Sequence, residues 1–308
     1  MASDLSKQLV IGIIAVPLSP GRKYYKVCGD GYIATSHAEW LQRAGISIVA
    51  IPYNTTKHKY FFERINGIYL PSGGVFASNS QEYYNCCKKF IQLAMEANNK
   101  GDYFPVWGGC MGMQQMMIMA DGRDDMEFLD RFDSFNNLML PLIMTKKGIQ
   151  GKMMSYVRVN HPETLDEFIN QSTTLNNHMM GVSPEKFKRS KALNAIYNIV
   201  SWNYDRQGKK FVSTIEGKDY PFYGVQWHPE RSDHADALAN FLAYELGKNT
   251  HTKRIPKSKQ LQFKRVDCMN YSNQIYNYCN FYWFEKTSEH NRNLCNVLNL
   301  GMPENNSV

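Results

Sequence analysis

The chain reads as an α/β protein: a three-layer sandwich in which helices cover both faces of a central, mostly parallel sheet. Three observations predict this. Short apolar runs alternate with helix-patterned stretches through the first third of the sequence, as they do in successive βαβ units. The runs are almost continuously apolar, as expected of strands buried on both sides. Finally, Gly108-Gly109-Cys110-Met111-Gly112 separates an apolar run from helix-forming residues. That spacing is the cysteine counterpart of a strand–turn–helix nucleophile elbow, a device found at the carboxyl end of a sheet strand.

The elements follow in order. Residues 9–15 supply a first buried strand, and 34–44 an amphipathic helix closed by Gly45, since glycine readily takes the left-handed conformation of a helix C-cap. Ile46 to Ile51, rich in β-branched residues, form the next strand. A short helix around 58–64 leads to a strand at 67–71 and the Gly73-Gly74 turn. Ser80 can cap a helix running to about 97, and Tyr103 to Trp107 form the elbow strand. Residues 121–152 are polar, acidic at first and irregular, and read as an excursion beside the site. Helices at 162–170 and 183–192 come next, then strands at about 195–202, 210–216 and 222–227, and a closing helix over 233–246. The expected organisation is one domain spanning 1–308: a catalytic core of about 8–247 and a basic, aromatic extension of 248–308 packing on it. Between Lys248 and Arg265 the cations Lys253, Arg254, Lys257, Lys259, Lys264 and Arg265 occur with no acidic residue. An exposed strap accounts for that run more simply than nucleic-acid binding does.

Two segments carry chemistry. In the elbow, glycines two residues to either side of Cys110 leave room for a tight, strained turn. The start of the following helix sets positive partial charge beside the sulfur, and the Met111 amide would point toward a developing oxyanion. A lone cysteine is most often a buried structural thiol, but here a second motif stands downstream, Gly224-Val225-Gln226-Trp227-His228-Pro229-Glu230. On an extended strand, residues two apart share a side, and Pro229 stiffens the segment. Glu230 can then orient and charge-stabilise His228. Cys110, His228 and Glu230 together have the parts of a nucleophile–base–carboxylate triad. Met111, Met113, Met116, Met117 and Met119 are read as helix-packing residues.

Composition sets the bounds. At 308 residues, 43% hydrophobic and 20% charged, the chain can bury an ample core. The net charge of +7 suits an acidic substrate but is equally that of solvated surface lysines. The sequence offers no apolar run of membrane-spanning length, no phosphate-cradling G-x-x-x-x-G-K-[ST] and no Cys/His metal spacing, so neither membrane, nucleic acid, metal nor cofactor is expected. Leu9 to Leu18 superficially resembles a signal-peptide core, but it overlaps the first strand, so no removable signal is expected within the chain and a cytoplasmic location stays open. Four glycosylation acceptor triplets begin at Asn54, Asn170, Asn270 and Asn305, and six cysteines besides Cys110 could pair.

The two motifs resemble those of class I glutamine amidotransferase-like (flavodoxin-like) hydrolases. Asn66-Gly67-Ile68-Tyr69-Leu70-Pro71-Ser72-Gly73-Gly74, Gly101 to Gly108, Phe211 to Gly217, and Tyr220-Pro221 leading into the His228 motif are similar to segments of the γ-glutamyl hydrolases, which trim folylpolyglutamates. The likeness spans roughly 9 to 246. It implies Cys110 as nucleophile, His228 as general acid/base and Glu230 as orienting carboxylate. The Gly73-Gly74 turn, through Gly74, and Met111 would supply the oxyanion amides, and His178 would stand near substrate. It further implies a folylpolyglutamate substrate, a homodimer, and a lysosomal, vacuolar or secreted protein. Ser72 departs from a Pro-Gly-Gly pattern, and Met113-Gln114-Gln115 from Phe-Glu-Glu. The connection after Glu230 is short, which bears on any subunit contact made there. A glutaminase or γ-glutamyl-amine hydrolase shares both motifs, and an inactive binding relative is the remaining reading.

Overall fold

The computed structural model describes residues 8–17, 31–123, 126–232 and 234–256, and the backbone of four short strands beyond them. Strand β1 (Val10–Ile14) is followed by β2 (Val16–Pro17), β3 (Gly31–Ile33), helix α1 (Thr35–Arg43) and β4 (Ser47–Ile51). Next come α2 (His58–Phe62), β5 (Gly67–Leu70), α3 (Gln81–Asn99), β6 (Val106–Gly109) and α4 (Met111–Asp121). The middle of the chain forms β7 (Asp130–Leu140), β8 (Ile143–Met144), α5 (Lys152–Asn160), α6 (Pro162–Asn170), β9 (Thr174–Gly181), α7 (Pro184–Arg189) and α8 (Lys191–Ile196). Strands β10 (Tyr197–Tyr204), β11 (Lys210–Gly217) and β12 (Phe222–Val225) precede α9 (Asp236–Gly247). The tail strands are β13 (Phe263–Arg265), β14 (Cys268–Met269), β15 (Ile275–Tyr276) and β16 (Asn280–Tyr282).

Eight strands make the main sheet, in the order β4-β1-β5-β6-β12-β11-β10-β8. The first five run parallel; β11, β10 and β8 continue the sheet antiparallel. The sheet separates two apolar clusters. Val10, Ile14, Ile68 and Val106 face α3 and α4, packing with Tyr83, Phe90, Met113 and Met117. Ile11, Ile13, Tyr69, Trp107 and Tyr223 face the other way, against Trp40 and Leu41 of α1 and Leu238 and Phe241 of α9. Two-residue alternation along doubly buried strands thus fills both layers. This is the predicted three-layer α/β sandwich.

Local signals act where the sequence places them. Ser80 accepts a hydrogen bond from the Tyr83 amide and caps α3, while Gly45 takes φ +74° just past α1. The region expected to be irregular, 121–152, is not: β7 pairs antiparallel with β9, with Ser134 opposite His178. Helix α5 and strand β9 are further elements that the sequence reading does not anticipate, and 183–192 resolves into two short helices, each capped by a serine. The elbow strand also lies later than expected, because Gly108 and Gly109 belong to β6 rather than to the turn.

Beyond α9 the chain packs onto the core through polar anchors. Asn66 donates to the Asn249 side chain and the His251 carbonyl, each at 2.9 Å, and His251 Nε2 lies 2.9 Å from Asp102. Strands β13 and β16 join β3 and β2 in a second sheet. Expectations for Lys257, Lys259, the aromatic side chains of 271–284, Cys28, Cys279, Cys295 and the acceptor triplets at Asn270 and Asn305 lie outside the described residues.

Candidate active site

Three neighbouring strands, β5, β6 and β12, end together at one edge of the sheet. Parallel register sets Leu70 beside Gly108 and Val225 beside Gly109, so the Ser72–Gly74 turn, Cys110 and the His228 segment emerge side by side. Cys110 itself has φ +48° and ψ −104°, a costly conformation for a residue with a Cβ. Its amide donates to the Val225 carbonyl at 2.7 Å, which ties the bend to the strand that leads to the imidazole. The flanking glycines make this bend possible. A Cβ on residue 112 would stand 1.9 Å from the Leu70 carbonyl oxygen, and one on residue 108 would stand 2.8 Å from the Gly112 and Met113 backbone. Helix α4 therefore folds directly back against β5 and β6, and Cys110 stands at its N-terminal end, where the first-turn amides lack intrahelical acceptors.

His228 and Glu230 meet by a different route from the one anticipated. Strand β12 stops at Val225, and Pro229–Arg231 form a single 3₁₀ turn. The turn, not strand alternation, carries Glu230 Oε1 to 2.8 Å from His228 Nδ1. Both side chains are buried. Burial lowers the pKa of His228, but the charge of Glu230 and then that of Cys110 more than reverse this and raise it. Glu230 is the mirror case: burial raises its pKa, while His37 and His228 bring it below the usual carboxylate range. Nδ1 is committed to the carboxylate, and the other ring nitrogen, Nε2, has no other hydrogen-bond partner. Cys110 acts on the same ring both through its charge and as a hydrogen-bonding group.

The Gly73-Gly74 turn sits over the start of α4. A Cβ at Gly73 would be 3.0 Å from the Met111 methyl, the Val75 amide points at the Met111 sulfur at 3.0 Å, and Asn79 donates to the Gly74 carbonyl at 3.1 Å. Gln115 fastens the same segment by donating to the Val75 carbonyl at 2.6 Å. His178 occupies strand β9 with its ring edge-on to Phe211. Its Nδ1 donates to the Met180 carbonyl at 2.9 Å, its Nε2 has no partner, and burial pushes its pKa down to about 3. The His228 amide donates to the Leu175 carbonyl at 2.8 Å, so β9 is stitched to the His228 segment. The structure thus brings Cys110, His228, Glu230, Gly73, Gly74, Met111 and His178 into one region.

Three neighbours went unassigned in the sequence reading. Gln226 is fully buried and directs Nε2 toward the Cys110 sulfur at 3.5 Å, while Gln114 donates to its Oε1 at 3.1 Å. A polar residue inside an otherwise apolar buried run, Gly-Val-Gln-Trp, was the available signal. His37, with Nδ1 3.7 Å from Glu230 Oε1, and Tyr69, hydrogen-bonded to His37, had no such signal, because helix and strand patterning already explained them. Among the described residues, no cluster of three or more His, Cys, Asp or Glu side chains is arranged to hold a metal ion, and no helix is long and apolar enough to cross a membrane.

Comparison with known proteins shows what the chain as a whole is similar to. Residues 28–243 match the family model for class-I glutamine amidotransferases. "Gamma-glutamyl hydrolase B" of Dictyostelium discoideum is 31% identical, over 93% of this chain and 83% of that protein. The human "Gamma-glutamyl hydrolase" is 32% identical, over 80% of each chain. "Gamma-glutamyl hydrolase 2" of Arabidopsis thaliana is 28% identical, over 89% of this chain and 79% of that one.

Proposed function

This chain belongs to the γ-glutamyl hydrolases of the class-I glutamine amidotransferase family, and from that premise we propose that it cleaves folylpoly-γ-glutamates with Cys110 as nucleophile. His228 takes the Cys110 proton, the sulfur attacks the γ-carbonyl carbon of a glutamyl amide, and the carbonyl electrons move onto oxygen. The amides of Gly74 and Met111 receive that oxyanion; such donors typically contribute roughly 3–4 kcal/mol each to lowering the barrier. His228 protonates the departing amine as the tetrahedral species collapses to a thioester. It then takes a proton from water, whose attack frees the γ-carboxylate and restores the thiol. Glu230 keeps the Nδ1–H of the ring directed at itself and stabilises the imidazolium, and His178 sits near bound substrate.

The observation that supports this reading is the meeting of the elbow and the His228–Glu230 pair on adjacent strands, with the 2.8 Å contact between base and carboxylate. Cys110→Ala should abolish glutamate release from a pteroylpoly-γ-glutamate while the protein stays folded; substantial residual turnover overturns the assignment. Running glutamine and γ-glutamyl amines beside that substrate separates hydrolysis of folylpolyglutamates from glutaminase-type activity. We further place the protein on the lysosomal, vacuolar or secretory route, with the exposed Asn54 and Asn170 as sugar acceptors. A mass shift on deglycosylation of material from a eukaryotic host would support that placement, and its absence would count against it.

A further inference from the structure

A second imidazole approaches the same Glu230 oxygen that His228 contacts. His37, on the first turn of α1, is buried with Nδ1 3.7 Å from Glu230 Oε1. The same Nδ1 is 2.8 Å from the Tyr69 hydroxyl, and Nε2 is 2.8 Å from the Ser72 hydroxyl. Tyr69 belongs to β5, and Ser72 opens the turn that carries Gly73 and Gly74. One ring therefore touches the carboxylate of the triad and the turn of the oxyanion amides. Building on the function proposed above, we propose that His37 is a positioning residue that, as a neutral ring, holds the Ser72–Gly74 turn in register with Glu230.

The protonation state follows from the surroundings. The charged or titratable groups acting on His37 are Glu230, His228 and Arg231, with the Tyr69 phenol in contact. Burial, opposed by Glu230 and helped by His228 and Arg231, keeps the ring neutral at ordinary pH. A bare lone pair on Nδ1 would face the carboxylate, so the proton belongs on Nδ1, where it is donated to the Tyr69 oxygen. Nε2 is then an acceptor, and Ser72 must donate. That bond fixes the Ser72 side chain and, through it, the entry to a turn whose two glycines would otherwise leave the backbone loosely determined. It also gives a physical reason for serine at position 72, where the sequence pattern led one to expect glycine.

The test pairs kinetics with a readout that does not need turnover. Ser72→Ala should lower kcat by roughly five- to thirtyfold with KM within about twofold, the size of losing one hydrogen bond to a positioned group. Ser72→Thr, which keeps the hydroxyl, should recover most of that loss. In a His37→Gln background, Ser72→Ala should add little, since both changes break one bond. The rate of Cys110 alkylation by iodoacetamide at pH 7 should stay near wild type in Ser72→Ala, because the thiol–imidazole pair is untouched. Unchanged kcat in Ser72→Ala, or fully additive losses, overturns the proposal. Nitrogen-15 NMR of the histidine rings gives the independent check: a neutral Nδ1–H tautomer for His37 at pH 7.5 is expected, and an Nε2–H tautomer or an imidazolium there overturns the proposal. A wild-type protein inactive on every γ-glutamyl substrate would remove the proposed function while leaving the NMR test of His37 standing.

Discussion

Glu230→Gln probes the buried His228–Glu230 pair. The carboxylate lies 2.8 Å from His228 Nδ1, and the two side chains are only 2% and 8% exposed. The glutamine amide keeps the shape and an acceptor for the ring N–H, but it removes the charge. Burial then dominates His228, and the ring's pKa falls from its raised position. Removing one partner of a buried ion pair typically costs about 3–5 kcal/mol. At about 1.4 kcal/mol per tenfold in rate, that corresponds to a drop in kcat of roughly a hundred- to several-thousandfold. The alkaline limb of the kcat/KM profile, where His228 loses its proton, should move to lower pH. Glutamate release from a pteroylpoly-γ-glutamate, followed from acid to alkaline pH, measures both effects. A variant with kcat within threefold of wild type and an unmoved alkaline limb would refute the reasoning.

Other consequences can be checked by stability. Because Cys110 sits at φ +48°, Cys110→Gly should be more stable than Cys110→Ala by about 1 kcal/mol, reversing the ordinary cost of glycine; calorimetry of the two inactive variants decides it. Gly112→Ala forces a methyl to within 1.9 Å of the Leu70 carbonyl oxygen, so it should lose about 1–3 kcal/mol or more along with activity, as α4 is pushed off β5; a wild-type melting curve would contradict that packing. His178 titrates in the opposite sense to a salt-bridged histidine. Its folded pKa of about 3 lies below its ordinary value of 6.5, so the unfolded chain binds the extra proton and stability falls as pH drops from 6.5 toward 3. The slope from this residue is at most about 1.4 kcal/mol per pH unit, and urea titrations of His178→Asn should show it reduced, with an unchanged slope counting against burial as the cause.

How much of this was legible in advance depended on how directly a residue's chemistry reports its neighbours. The doubly buried strands β1, β4 and β5 are continuous apolar runs and could be placed within a residue or two, as could the capped helix α3. Strand β7 could not: Asp130, Arg131 and Asp133 interrupt it, and only its pairing with β9 makes it a strand. With β9 unrecognised, His178 could be placed near the site only by family resemblance. The His228–Glu230 contact was foreseen from alternation along a strand but arises from the turn after Pro229, so two different backbones lead to the same contact. His37, Tyr69 and Gln226 act through residues distant in sequence, and no local pattern encodes such meetings.

The position of β12 has a consequence for the protein's synthesis. Chain growth delivers the elbow early, but β12, which leads to His228, is the last strand of the main sheet to leave the ribosome, and it must slot between β6 and β11. Until it does, β6 is an open edge and Cys110 lacks the His228 imidazole. On the proposed mechanism, translation products that stop short of Phe222 would carry the whole elbow and yet be inactive.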